Sequence, residues 1–223
     1  MSNKDKKIRW SIKTSDILAL TAIIVSLFSL NNSIRQTKLQ EELQYLNKKE
    51  NQPIFYLNYY LDNSKNNSKD DYDTDVLKNL NVGREVLSIN VKCRTFIEMG
   101  LKPNQILYIP VTGYYEKKSV GGLIGEIETY FVPGNIQSLL NLREDIRYNN
   151  EYGLLYGFDI EKFVLITYTD IYGEYHELYF RNEDQCSKEF YDTVVQKSNQ
   201  ILKRRKSFNL DDLTLKIIKE NIE

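Results

Sequence analysis

The sequence predicts an α+β fold, in which an N-terminal transmembrane helix precedes an antiparallel β-sandwich-like domain with C-terminal helices. Residues 17–34 contain no charge, apolar and polar residues alternate over residues 86–97, and two aromatic-rich runs flank a turn within residues 162–181. These patterns are typical of a membrane span, a half-buried strand and a β-hairpin. We therefore expect a membrane anchor with a juxtamembrane helix at residues 1–50 and a β-rich globular domain at residues 51–223.

The charge-free segment is nearly long enough to cross a bilayer. Its 18 residues would form a helix of about 27 Å, against a hydrocarbon thickness of about 30 Å. Trp10 and a basic cluster precede it, as expected of interfacial anchors. The residues predicted to lie in the span are Ile17, Leu18, Leu20, Ile23, Ile24, Val25, Leu27, Phe28 and Leu30.

Two other interpretations of this segment stay open. A cleaved signal peptide has the same basic start and short apolar centre, although residues 29–33 offer no small-residue cleavage site. A buried helix of a soluble protein is the other alternative, but such a helix usually interrupts its apolar face with charge. The leading prediction is a single-pass protein of the cell membrane. The side on which the C-terminal domain lies is undecided, because basic residues flank the span on both sides.

Residues 35–50 are predicted to continue the helix beyond the span. Leu39, Leu43 and Leu46 recur at helical spacing, with charge on the other faces. The stripe would pack on the following domain or pair two anchors, so self-association through residues 34–49 is a candidate interaction. Pro53 ends the helix, since the residue before a proline is pushed out of the helical region.

The remaining elements follow from local patterns. Strands are predicted at residues 54–61, 86–97, 105–115 and 126–132, with a polar loop over residues 62–75 and with Pro110 at a sheet edge or bulge. In residues 86–97 we expect one buried and one solvated face. Helices are predicted at residues 136–146, 184–206 and 210–222, capped in the first and last cases by Asn135 and Asn209. Gly173 supplies the positive φ of a three-residue hairpin with a bulge.

Short motifs within this pattern resemble a group of uncharacterised bacterial membrane-anchored proteins. The motifs are Trp10-Ser11 with the run Ser-Asp-Ile-Leu-Ala-Leu at residues 15–20, Asn-Gln-Pro at residues 51–53, and Tyr-Thr-Asp-Ile-Tyr-Gly-Glu-Tyr at residues 168–175. The resemblance touches residues 10–61 and 162–181, and less closely residues 80–97. It implies a single N-terminal helix followed by a small β-sandwich, and it implies no catalytic residue.

Composition excludes several functional classes. The 223 residues include 30 Lys and Arg, 31 Asp and Glu, two Cys and one His. Two cysteines exclude a disulfide scaffold, the net charge of −1 argues against a chain whose whole surface binds nucleic acid, and one histidine leaves little material for a zinc site. The charge is uneven, because basic segments at residues 1–16 and 197–206 flank an acidic body.

The residues that could take part in catalysis or metal binding are better explained as structural residues. His176 is expected to be a partly exposed or hydrogen-bonded strand residue, Cys93 a small core residue, and Cys186 the start of a helix. The first three ligand positions of a calcium-binding loop match Asp71, Asp73 and Asp75. The Gly and the final Glu that such a loop requires are missing. The glycines of residues 121–125 lack the Lys-Ser/Thr of a phosphate loop. The sequence therefore predicts no catalytic residue, no metal site and no cofactor.

Three functional hypotheses remain, and the first is preferred. It is a non-catalytic, membrane-tethered binding or sensor module that recognises a protein or a small ligand. The second is a membrane-acting effector, of a bacterial defence or toxin type, whose helix oligomerises and perturbs the bilayer. The third and weakest is a hydrolase or nuclease that uses Asp170 and Glu177. The predicted partners are the membrane and a protein, with no specific nucleic acid. A basic cluster is the candidate contact with an anionic surface: Lys203, Arg204, Arg205 and Lys206.

Overall fold

The structure is a computed structural model that describes residues 14–63, 73–102, 105–149, 156–201 and 207–222. The chain divides into two compact units, Met1–Asn51 and Gln52–Glu223. Trp10, Asp71 and the basic cluster Lys203–Lys206 lie outside the described residues, so the predictions made for them stay predictions.

The first unit is a single long helix. Helix α1 (Thr14–Glu50) has 37 residues and joins the predicted span and the predicted juxtamembrane segment without interruption. At about 1.5 Å per residue its length is about 55 Å. The helix ends three residues before Pro53, as the restricted backbone before a proline predicts.

The second unit is built mainly from strands, as predicted. Its strands are β1 (Phe55–Asp62), β2 (Thr74–Asn81), β3 (Ser88–Lys102), β4 (Gln105–Thr112), β5 (Lys117–Val120), β6 (Gly125–Tyr130), β7 (Tyr156–Thr169), β8 (Tyr175–Arg181), β9 (Asp184–Cys186) and β10 (Phe208–Asn209). Its helices are α2 (Asn135–Asn149), α3 (Lys188–Ile201), a 3₁₀ turn (Leu210–Asp212) and α4 (Leu215–Ile222).

The strands form two sheets, which confirms the predicted α+β class. One sheet has the order β1-β2-β6-β5, and the other has the order β10-β4-β3-β7-β8-β9. Neighbouring strands are antiparallel except β10, which runs parallel to β4. Pro110 lies on β4 next to the two-residue β10, near the sheet edge where a residue without an N–H is tolerated.

One apolar core joins the inner faces of the two sheets. Leu77 and Ile127 of the smaller sheet pack with Val91, Val164 and Ile166 of the larger one, and all five are at most 3% exposed. The alternation in β3 and β7 directs every second side chain into this core.

A second core covers the opposite face of the larger sheet, where a solvated face was expected for residues 86–97. Phe96 is only 2% exposed because α3 covers it, and its ring meets that of Phe163 edge to face at 5.5 Å. Tyr191 and Val194 of α3 complete this core. The expected solvated face is present at Ser88, Asn90, Lys92 and Arg94, which are exposed, and fails at Phe96.

A third core closes one end of the larger sheet. Ile97 and Ile109 of the sheet pack with Leu142 of α2 and with Leu215 and Ile218 of α4. The predicted final helix is divided, because the 3₁₀ turn precedes α4. Asn209 caps the 3₁₀ turn, since its side chain accepts a hydrogen bond from the Asp211 N–H.

The structure corrects the predicted start of the helix at residue 184. Residues Asp184–Cys186 instead extend the sheet as β9, with Cys186 opposite Tyr179 of β8. The helix α3 begins only at Lys188. Pairing with the edge of β8 satisfies backbone groups that a longer helix would have satisfied internally.

Candidate functional site

The apolar segment of α1 is exposed on all sides of the helix. The nine residues predicted to lie in the span are 46–71% exposed, and none of the apolar window of α1 is buried. The described residues contain this one helix that is long and apolar enough to cross a membrane. Exposure of so many large apolar side chains is unfavourable in water, so this surface requires an apolar environment.

Two hydroxyl groups within α1 are satisfied by the helix itself. Thr21 donates to the Ile17 carbonyl and Ser26 to the Ala22 carbonyl, each at 2.8 Å. Such bonds allow hydroxyls to enter a membrane without an external partner.

The leucine stripe on the second half of α1 is present and exposed. Leu39, Leu43 and Leu46 are 52–63% exposed. Whether the stripe pairs two copies of the chain stays a prediction.

Inside the domain, a buried ion pair lies between the two sheets. Lys162 of β7 binds Asp75 of β2 with an Nζ–Oδ2 distance of 2.5 Å, and the Tyr114 hydroxyl donates to the same oxygen at 2.8 Å. Asp75 is 4% exposed. The Lys162 ammonium also lies 4.4 Å from the centroid of the Tyr59 ring, a favourable cation–π distance. This group links the two sheets by charge where other positions use apolar packing.

Asn135 supports the ion pair, although the sequence predicts it as a helix cap. Its side chain accepts from the Asp75 N–H and donates to the carbonyls of Asp75 and Tyr114. These bonds engage both ends of the amide, so Asn135 fixes β2 and the residues after β4 instead of capping α2. The role as a cap is corrected accordingly.

A second polar group lies on the smaller sheet. Glu128, 6% exposed, accepts from Lys117 at 2.5 Å and from the Tyr130 hydroxyl. Asn79 on the neighbouring strand faces Glu128 in register and is fully buried. Its amide forms no hydrogen bond within the part of the chain that the structure describes. Buried polar residues of this kind explain why β2 does not have the sequence pattern of a strand.

Burial suppresses the acidity of the groups around these pairs. Burial first, and then the negative charge of Asp75, raise the pKa of the Tyr114 phenol well above its usual range. Burial raises the pKa of the Cys93 thiol to about 12, although the charge of Lys162 opposes it. A thiol of such high pKa is protonated at neutral pH and is a poor nucleophile. Cys93 is therefore best explained as the small core residue that the sequence predicts.

The hairpin between β7 and β8 holds the single histidine. Asp170 is 7% exposed, and its Oδ1 accepts the N–H groups of Tyr172 and Glu174 at 2.9 and 2.8 Å. Its Oδ2 lies 3.0 Å from Nε2 of His176, whose ring stacks on Tyr168 with a centroid distance of 4.8 Å. Desolvation alone would raise the pKa of Asp170, but the bonds from Glu174, His176 and Tyr172 outweigh it and lower that pKa.

His176 thus has the predicted character of a hydrogen-bonded strand residue, but its partner was not predicted. The two residues are six positions apart and meet because the turn reverses the chain, so the sequence signal is the combination of an aspartate before a Gly turn and a histidine after it. Glu174 completes a group of three, since ligand-type atoms of Asp170, Glu174 and His176 all lie within 4.8 Å of one another. This is the arrangement among the described residues that could hold a metal ion.

The carboxylates of the hydrolase hypothesis are engaged by different partners. Glu177 accepts from the Tyr179 hydroxyl and from Lys188, the latter at 2.9 Å, and these two bonds lower the pKa of Glu177 to about 2. Asp170 binds its own turn and His176. The structure gives the two residues separate structural roles.

Comparison of the chain with family models, with curated proteins and with solved structures found no match. The resemblance to bacterial membrane-anchored proteins therefore stays a prediction, apart from the coarse architecture of an apolar N-terminal helix followed by a β-rich domain. Function has to be argued from the helix and the domain themselves.

Proposed function

We propose that this protein is a membrane-tethered binding module, in which α1 crosses the bilayer once and the domain Gln52–Glu223 recognises a protein or small ligand. The observation that carries the proposal is the exposed, charge-free apolar surface of α1, which needs an apolar environment. The helix is long and apolar enough to cross a membrane once.

One end of the larger sheet provides a surface for recognition. Leu87, Ile171, Tyr172 and Tyr175 are 45–62% exposed, and we call them the hairpin-end surface. They lie together, because the Leu87 N–H donates to the Thr169 carbonyl and Thr169 is opposite Tyr175 in the hairpin. Aromatic side chains such as Tyr172 and Tyr175 are enriched at protein interfaces.

Membrane extraction tests the tether. We expect the full-length chain to stay in membranes after alkaline carbonate washing, and the double variant Leu20→Lys/Ile24→Lys to be released. A lysine at the centre of a span costs about 2.5–3.5 kcal/mol. The matched control Thr37→Lys/Gln44→Lys adds the same charge to α1 outside the span and should remain in the membrane. Release of the unmodified chain, or a mature protein that begins after the apolar segment 17–30, would overturn the tether, and the second result would identify a signal peptide.

Site-specific cross-linking tests the recognition surface. A photoreactive residue in place of Tyr172, in the full-length chain in its own cells, should capture a discrete partner. The same residue in place of Tyr148 of α2, 76% exposed, is the control and should capture less. Equal capture from both positions, or none from Tyr172, would contradict recognition through the hairpin-end surface.

The effector hypothesis stays an alternative that no contact specifically favours. Hydroxyls in the span, at Thr21, Ser26 and Ser29, and the leucine stripe are the features that would support oligomerisation of the helix. Thr21 and Ser26 already bond to their own helix. Loss of membrane potential on expression of the full-length chain, absent with Leu20→Lys/Ile24→Lys, would favour the effector over the tether.

A further inference from the structure

The hairpin after β7 combines three potential metal ligands in one turn. Asp170 directly follows β7, Glu174 directly precedes β8, and His176 lies on β8. We propose that these three residues bind a divalent transition-metal ion, with Zn²⁺ as the expected occupant. The proposal is independent of the membrane tether and gives a chemical role to the single histidine of the chain.

The spacing of the first two ligands suits a single ion. Bonds of about 2.0–2.2 Å at tetrahedral to octahedral angles put two ligand atoms about 3.0–3.5 Å apart. Nε2 of His176 and Oδ2 of Asp170 are 3.0 Å apart. An ion can therefore bind both atoms without a large movement of either side chain.

Both ligands are held in place before any ion binds. The two backbone N–H groups on Oδ1 fix the Asp170 carboxylate and direct Oδ2 toward the histidine. Stacking on Tyr168, with 20° between the ring planes, fixes the His176 imidazole. Oriented ligands supported by hydrogen bonds and packing distinguish a metal site from a chance group of acidic residues.

The third ligand and the charge define the class of ion. The Glu174 side chain is exposed and lies within 4.8 Å of the other two ligand atoms, so a change of rotamer brings it to the ion. Two carboxylates and a neutral imidazole match a divalent cation, and the imidazole nitrogen favours zinc over magnesium or calcium. Three protein ligands leave a fourth position for water or for a ligand atom of a partner.

Metal titration of the full-length chain in detergent tests the site. The chain is prepared without a polyhistidine tag, because the tag would itself bind Zn²⁺ and hide the contribution of the single histidine of the chain. After chelation and dialysis, calorimetry with Zn²⁺ should show one ion per chain, and Zn²⁺ should raise the unfolding temperature. His176→Gln and Glu174→Gln should each weaken binding by about tenfold or more. Glu177→Gln, on the neighbouring strand position, is the control and should bind like the unmodified chain.

Glu174→Gln tests the metal site even if His176→Gln does not fold. His176 packs on Tyr168, so His176→Gln is checked for folding by circular dichroism. Glu174 is exposed, so its replacement leaves the cores intact and decides the result if the histidine variant unfolds. No Zn²⁺ binding by the unmodified chain, or equal binding by Glu174→Gln and Glu177→Gln, would overturn the proposed site. The double variant Cys93→Ser/Cys186→Ser should retain the ion, and loss of binding in it would assign the zinc to the thiols and also overturn the proposal.

Discussion

The charged residue Lys162 holds the two sheets together from within the core. It binds Asp75 across the sandwich and stands over the Tyr59 ring. Removing one member of a buried pair leaves the other charge without its partner, which typically costs about 3–5 kcal/mol. We therefore expect Lys162→Met to lower the free energy of unfolding by about that amount, measured by urea denaturation.

An exposed pair provides the control for this substitution. Lys118 binds Glu116 at 2.9 Å, and its partner's side chain is 60% exposed. Exposed pairs contribute about 0–1 kcal/mol, so Lys118→Met should change the stability little. A Lys162 variant as stable as the Lys118 variant would show that the buried pair is not a source of stability.

Individual residues could be predicted from the sequence where their role depends on near neighbours. Gly173 and Asn209 act within their own turns, and the sequence predicts both. The Asp75–Lys162 pair joins residues 87 positions apart, and no local pattern connects them. Asn135 was misassigned for the same reason, because its partners are 60 and 21 positions away.

Among the elements, the β7–β8 hairpin depends on one backbone conformation. Gly173 has φ +83°, and its N–H donates to the Asp170 carbonyl at 3.0 Å. A side chain in this left-handed region costs about 1–2 kcal/mol. Gly173→Ala should therefore lower the free energy of unfolding by about that amount, although a Cβ there meets no atom within 4 Å.

Gly122 is the matched control for the hairpin substitution. It does not have a positive φ, and a Cβ added to it lies 3.5 Å from its nearest neighbour, the Ile124 carbonyl oxygen. Gly122→Ala should change stability by about 0.5 kcal/mol or less. If both variants lose the same stability, the conformation at Gly173 is not the cause.

Whether a strand could be predicted from the sequence depends on its pattern of apolar and polar residues. The strands β1, β3, β6 and β7 carry apolar and aromatic alternation and were predicted. The strand β2 was missed because Asp75, Asn79 and Asn81 occupy interior positions where a strand usually has apolar residues. The strand β5 was missed because its four residues are all exposed at the sheet edge.

At the scale of the whole molecule, the domain buries phenols and a thiol as well as apolar groups. Burial raises the pKa values of Tyr59, Tyr114, Tyr115 and Tyr130 above the usual value, and raises that of Cys93 to about 12. The folded domain therefore keeps protons that the unfolded chain releases at lower pH. Because of these groups, the stability of the whole domain depends on pH in the alkaline range.

The direction of this pH dependence follows from which state binds more protons. The stability that these groups contribute is fully present below their unfolded pKa values, about 8.5 for cysteine and about 10 for tyrosine, and is lost as pH rises toward the folded values. We expect the urea midpoint of the full-length chain in detergent to fall steadily from about pH 8 to about pH 11. Tyr114→Phe should reduce the slope of this fall, whereas Phe in place of the exposed Tyr148 should not. A constant urea midpoint over this range would contradict the prediction. Ionisation of all tyrosines near pH 10 in the folded protein would also contradict it, because the fold would then not shield the phenols.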